Sequence, residues 1–189
     1  MKMEFNRPQG FEKFTSKEEQ LESLENGLDN IDDFNPDMRI EEIGIIEEMP
    51  EMELFSEGEI LAILDIRNQI ADELGINPPE LVFYYSPNEH DGGGFSGEYN
   101  LISINMNNFD NLESFIGTIA HEMRHAWQHE MASLPEELQT DLGKAFKFNF
   151  DNYISPYDNY EEYRNQLIEV DARTYAEDYM ERLFGDYRY

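Results

Sequence analysis

Two of the four histidines in this chain, His121 and His125, bracket the run His121-Glu122-Met123-Arg124-His125. Residues four apart on an α-helix are about 40° apart around the axis and about 6 Å apart along it. Two imidazoles at that spacing can converge on one metal ion. Glu122, beside them, can take a proton from water that the ion activates. The chemistry indicated is metal-assisted hydrolysis, with His121 and His125 as ligands and Glu122 as general base. A catalytic site of this kind needs a third protein ligand and one open position.

The other two histidines are weaker candidates for that ligand, although His90, in a loop, could line a cleft. His129 continues the series by four residues, but on a straight helix it lies about 12 Å from His121 along the axis. It reads as a surface or supporting residue. His90 falls in the run His90-Asp91-Gly92-Gly93-Gly94-Phe95-Ser96-Gly97, which reads as a turn whose glycines tolerate positive φ. That run is no phosphate cradle, because no Lys-Ser/Thr follows it and the next element reads as a strand. The better third ligand is Glu169. It shares a helical face with Ala172 and Ala176, two small residues that let their helix approach the His121–His125 helix closely. Asp171 is the rival carboxylate and points about 200° away from Glu169 on the same helix.

The elements that must position these groups are legible from periodicity. Ile60, Leu61, Leu64, Ile66, Ile70 and Leu74 recur at helical spacing, and Gly75 ends the helix. Residues 81–85 read as a strand, and residues 99–106 as a second. These two form a hairpin or belong to one small sheet. A long helix over 111–131 carries the histidines. A third helix is expected over 135–148, a polar and aromatic loop over 149–160, and a last helix over 161–183. Trp127 reads as a core anchor. In the first 57 residues, a helix over 16–28 and a strand over 40–46 are expected. The fold class is α+β, mainly helical, with a small sheet or hairpin ahead of the active-site helix.

The stretch Thr118-Ile119-Ala120-His121-Glu122-Met123-Arg124-His125-Ala126-Trp127-Gln128 resembles the active-site helix of zincin metallopeptidases. The stretch Glu169-Val170-Asp171-Ala172-Arg173-Thr174-Tyr175-Ala176 is similar to the ligand helix of gluzincin-like members, which include the compact bacterial and phage ImmA/IrrE-type metallopeptidases. The resemblance covers about residues 99–180. It implies a zinc-dependent peptidase in which His121, His125 and Glu169 hold Zn²⁺ and Glu122 is the general base. It also implies that the strand over 99–106 forms the edge of the cleft and pairs with an extended substrate. Gluzincins often place an aspartate four residues after the ligand glutamate, to orient a histidine. That position is Arg173 here, so either Asp171 substitutes or the support comes from elsewhere. A tyrosine among Tyr153, Tyr157, Tyr160 and Tyr163 is a candidate donor to the oxyanion.

Composition bounds the alternatives. A chain of 189 residues can bury one hydrophobic core without staples. The absence of cysteine excludes disulfides, zinc–thiolate sites and cysteine nucleophiles. Forty-two acidic residues against 13 basic give a net charge of −29, which repels phosphate and disfavours direct binding to nucleic acid or to an anionic membrane. It leaves room for a basic protein partner. The first 57 residues hold 17 acidic and 5 basic residues and read as an acidic, partly ordered segment ahead of a metallopeptidase domain over 58–189. The N-terminus lacks the apolar stretch of a signal peptide, and no apolar run approaches the roughly 18 residues of a membrane span. The reading is a cytoplasmic peptidase acting on a protein or peptide. The competing class is an acidic inhibitor that imitates DNA and binds a nucleic-acid-binding target, its metal site being structural or vestigial.

Overall fold

Helix α1 (Glu57–Leu74) opens the continuous part of the structure, a computed structural model that describes residues 43–45, 57–84, 86, 92–108 and 111–185. Its apolar residues run nearly all round, and Leu61, Ile63, Leu64, Ile66 and Ile70 are buried. A helix apolar on most of its surface must be covered on several sides. Gly75 ends it at a φ of 71°, and the Ile76 amide donates to the Ala71 carbonyl at 3.0 Å. That left-handed closure is open to glycine at no steric cost.

Strands β1 (Ile43–Ile45), β2 (Glu80–Tyr84), β3 (Gly93–Ser96) and β4 (Leu101–Asn105) form one sheet in the order β1-β2-β4-β3. β1 and β4 both pair with β2 in parallel, and β3 pairs with β4 antiparallel, Gly94 opposite Ser103. β2 and β4 are therefore two members of a sheet and not a hairpin. The edge strand beside β4 comes from the glycine run, half of which is strand and not turn. The expectation that residues 99–106 edge the cleft is corrected accordingly: β4 lies inside the sheet and β3 is the edge. Among the described glycines only Gly75 and Gly185 have positive φ. Gly93 matters for closeness instead, since a Cβ there would lie 3.0 Å from the Ser103 carbonyl oxygen and 3.1 Å from the Thr118 methyl. β1 lies within the acidic first segment, while the helix expected over 16–28 lies outside the described residues, as does His90.

Helix α2 (Leu112–Ser133) carries the two histidines. Asn111 caps it, its side-chain oxygen accepting from the Ser114 amide at 2.8 Å. Phe115, Ile116, Ile119, Ala120 and Met123 bury its stripe in the main core with α1, the inward residues Leu81, Phe83, Ile102 and Ile104 of the sheet, and Tyr179, Met180 and Leu183. Helix α3 (Asp141–Asp151) starts later than expected, capped by Thr140. Residues 135–139 form a turn in which the Gln139 amide donates to the carbonyls of Ala132 and Leu134. Trp127 packs edge-on against Phe146 of α3, ring centroids 5.8 Å apart.

The last helix is two: α4 (Tyr160–Arg164) and α5 (Leu167–Phe184). The break has a local cause. Gln166 takes extended backbone angles, and its buried amide bridges to the Ile154 main chain, accepting from its N–H and donating to its carbonyl at 2.9 Å each. The Asn149 side chain then accepts from the Ile168 amide at 3.0 Å, satisfying an open donor at the start of α5. The architecture is α+β and mainly helical, with the sheet ahead of α2 in the chain. Among the described residues no helix is long and apolar enough to cross a membrane.

Candidate metal centre

α2 and α5 pack against each other, with Ala172 and Ala176 fully buried on the α5 face that bears Glu169. This contact brings Glu169 to the two histidines. His121 Nε2 lies 3.0 Å from His125 Nε2 and 3.5 Å from Glu169 Oε2, and His125 Nε2 lies 3.6 Å from Glu169 Oε1. One donor atom from each residue lies within 4.8 Å of the others, so His121, His125 and Glu169 could hold a metal ion. The chemistry of the set fits such an ion. Glu169 is 2% exposed, and its Oε2 is a buried oxygen with no hydrogen-bond partner. An orphaned buried carboxylate oxygen is costly unless something cationic meets it.

Hydrogen bonding fixes the tautomer of His125. The Gln128 amide nitrogen donates to the Ile168 carbonyl at 2.9 Å and to Asp171 Oδ2 at 2.7 Å, both of which can only accept. Its oxygen must then face His125 Nδ1, 2.8 Å away, and that nitrogen must carry the proton. The lone pair of Nε2 is left facing the centre. Asp171 is itself held by Arg124 through two bonds, Nε to Oδ2 at 2.8 Å and Nη2 to Oδ1 at 3.0 Å. Arg124 in turn lies over the Trp127 ring, 3.8 Å from its centroid. Asp171 is thus not a rival ligand. It supports His125 through Gln128. Residues that orient a ligand contribute about 10–100-fold in metal affinity. Gln128→Leu, which keeps the volume and removes both polar ends, is expected to weaken metal binding by about that factor; competition with a chelating dye measures it.

The electrostatics favour a cation here. Burial opposes ionisation of Glu169, yet the two imidazoles outweigh it and hold the carboxyl down to about 2. Burial likewise opposes the charged form of His125, but Glu169 and Glu122 more than offset it, so its pKa is raised. In the metal-free protein a proton therefore competes for the position that an ion would take. His125 stays protonated to higher pH than an ordinary imidazole, and the stabilisation it draws from Glu169 is full below the unfolded-state value and fades as pH rises through the raised one. The expected result is metal uptake with proton release, weaker at acid pH, and a metal-induced rise in melting temperature that is larger at pH 8 than at pH 6. Calorimetry in buffers of different ionisation enthalpy, beside thermal melts, checks both.

The centre opens into a cleft of two lobes. One, of about 670 Å³, is lined by His121, Glu122, Glu169, the loop residues Tyr153 and Tyr157, and Tyr160 and Tyr163 of α4. The other, of about 380 Å³, is lined by Gly93, Gly94 and Phe95 of β3 together with His121, Glu122 and His125. Glu122 is thus buried on α2 yet faces both lobes. Of the four candidate tyrosines, Tyr153 and Tyr163 line both lobes; burial first, then the Glu169 charge, pushes the Tyr163 hydroxyl far above the usual tyrosine range. It therefore remains a donor at every physiological pH. His129 is not in the ligand group; it packs edge-on against Phe95 and Phe150, each 5.9 Å away by centroid.

Gln128 and Arg124 were missed as functional residues by the sequence reading. The available signal was their position, three residues after and one before His125 on the helix. No protein-family model matches this chain, and neither a curated protein nor a solved structure matches it.

Proposed function

We propose that this protein is a zinc-dependent peptidase that hydrolyses peptide bonds of a protein or peptide substrate. The observation that carries the reading is the convergence of the two Nε2 atoms, 3.0 Å apart, with the Glu169 carboxylate, whose Oε2 lies 3.5 Å from His121 and whose Oε1 lies 3.6 Å from His125, beside the buried Glu122. A tetrahedral zinc with nitrogen and oxygen ligands at about 2.0–2.1 Å has ligand–ligand edges of about 3.3–3.4 Å. Two histidines, one carboxylate and an open side towards a cleft match the donor set that catalytic zinc uses better than that of a closed structural site, which supports the reading.

When bound, zinc supplies Lewis-acid chemistry, acidifying water and polarising the scissile carbonyl. The chain's own groups do the rest. His121, His125 and Glu169 fix the ion, and Gln128 fixes the orientation of His125. Glu122 accepts the proton of the attacking water at its carboxylate and delivers it to the leaving amine nitrogen. The Tyr163 hydroxyl donates to the oxygen that gains charge as the carbonyl becomes tetrahedral. Removing such a donor typically lowers kcat by about 10²–10³-fold. Tyr163→Phe is expected to show a loss of that order, with KM little changed; steady-state kinetics on a cleaved peptide decide it.

The test of the function itself is direct. Zinc-loaded protein is incubated with a pool of proteome-derived peptides in H₂¹⁸O, and mass spectrometry searches for new C-termini carrying the label. Labelled termini that vanish on chelation and return with zinc support the reading. A fully zinc-loaded protein that yields none overturns it.

A further inference from the structure

The larger lobe of the cleft carries two cations that the hydrolytic chemistry does not use. Arg164 ends α4, and Arg173 stands one turn beyond Glu169 on α5. Both line the same lobe as His121, Glu122 and Glu169. Neither has a carboxylate partner among the described residues. Arg164 Nη1 reaches the Tyr160 hydroxyl at 3.5 Å, and Arg173 Nη2 donates to the Arg164 carbonyl. Among the described residues Lys144 also lacks a carboxylate partner, although acidic residues outnumber basic ones 42 to 13; what sets Arg164 and Arg173 apart is that both line the cleft. Arg124, Lys147 and Arg182 do find partners, in Asp171, Asp151 and Glu73.

The bond from Arg173 to the Arg164 carbonyl ties the Arg173 guanidinium to the end of α4, and both residues line the same lobe. A guanidinium has five N–H donors in a planar fork, so most of those donors remain for a ligand. The fork matches a carboxylate in a bidentate manner. The net charge of −29 repels anions at a distance, but that field is screened beyond about 8 Å at physiological salt. Selection by Arg164 and Arg173 acts at contact range, inside the cleft.

We propose that Arg164 and Arg173 form a carboxylate-binding subsite, and that the substrates are peptides with a carboxylate close to the scissile bond. This rests on the peptidase reading and names its substrate class. The carboxylate comes from an Asp or Glu side chain or from the C-terminus of the peptide. It also accounts for an arginine at position 173, four residues after the ligand glutamate, where it supports no histidine.

The test uses the full chain, zinc-loaded and carrying Glu122→Gln, so that binding is read without turnover. The probes are fluorescent peptides on a neutral Ala-Phe-Gly scaffold with a single Asp or Glu scanned along it, each with a free or an amidated C-terminus. Anisotropy is expected to show at least one acidic peptide binding about tenfold or more tightly than the amidated neutral parent, the size of effect that a charge-assisted bond to carboxylate supports. A preference that follows the scanned residue assigns the side chain as source; one that follows the free terminus assigns the C-terminus. Adding Arg173→Gln is expected to bring the acidic-to-neutral ratio towards one, Arg173→Glu to favour Lys-bearing peptides, and Arg173→Lys to restore part of the acidic preference. Equal binding of acidic and neutral peptides, no binding of any probe, or a preference that survives both Arg173→Gln and Arg164→Gln overturns the subsite. Acidic peptides that bind with the expected arginine dependence, yet are never cleaved by the protein with Glu122 in place, keep the subsite and remove the peptidase reading.

Discussion

Glu122→Gln is expected to lower peptide hydrolysis by about 10²–10⁴-fold, the range that a positioned proton acceptor contributes, while zinc stoichiometry stays unchanged. The amide has the shape of the carboxylate and can accept a hydrogen bond, but it cannot take a proton. Glu122 is buried and is not one of the three converging residues, so the ion keeps its protein ligands. Its negative charge also contributes to raising the His125 pKa. Removing that charge weakens the proton that competes with metal, so zinc binding is expected to hold or improve. Elemental mass spectrometry beside kcat measurements on the same preparation separates the two effects. Activity retained in a zinc-loaded variant would assign the proton transfer elsewhere.

Glu169→Ala carries the second large effect. It removes the carboxylate from the donor group and leaves two imidazoles whose Nε2 atoms lie 3.0 Å apart. Zinc affinity is expected to fall by well over the roughly 10–100-fold that a supporting residue contributes, and hydrolysis to fall with it. Asp171→Asn is the contrast. Asp171 points at Arg124 and Gln128 and away from the centre, so its loss is expected to stay within the supporting range and to leave one zinc per chain at saturating metal. Titration of both variants against a zinc buffer orders them. A reversed order would make Asp171 the ligand and the 3.5 and 3.6 Å approaches of Glu169 incidental.

The helices and the ligand set were legible in the sequence to different degrees, for physical reasons. α1 and α2 announce themselves because apolar residues recur at helical spacing over several turns, and Gly75 and Asn111 mark an end of each with known backbone chemistry. The pair His121 and His125 needs only one helix, so spacing alone places both. Glu169 required a second step, the small-residue face of α5, which predicts close approach of two helices. The break between α4 and α5 was not legible. Gln166 is a good helix former by propensity, and it leaves the helix because its amide is used by the Ile154 backbone, a partner twelve residues away. The glycine run misled for a related reason. Glycine reads as a turn in isolation, whereas Gly93 serves a strand that must lie against Thr118 and Ser103.

By itself the sequence determined that α2 presents two imidazoles and a carboxylate from neighbouring positions, since helical geometry leaves little freedom over four residues. It also excluded thiolate chemistry, since there is no cysteine. The small-residue face already favoured Glu169 over Asp171 as the third ligand, but only the tertiary structure showed what Asp171 does instead. Packing of α5 on α2 turns one towards the histidines and hands the other to Arg124 and Gln128. Only the tertiary structure, too, placed β3 at the edge of the sheet and set Arg164 and Arg173 in one cleft with the ligands. Such juxtapositions depend on contacts between residues far apart in the chain, which local periodicity does not encode.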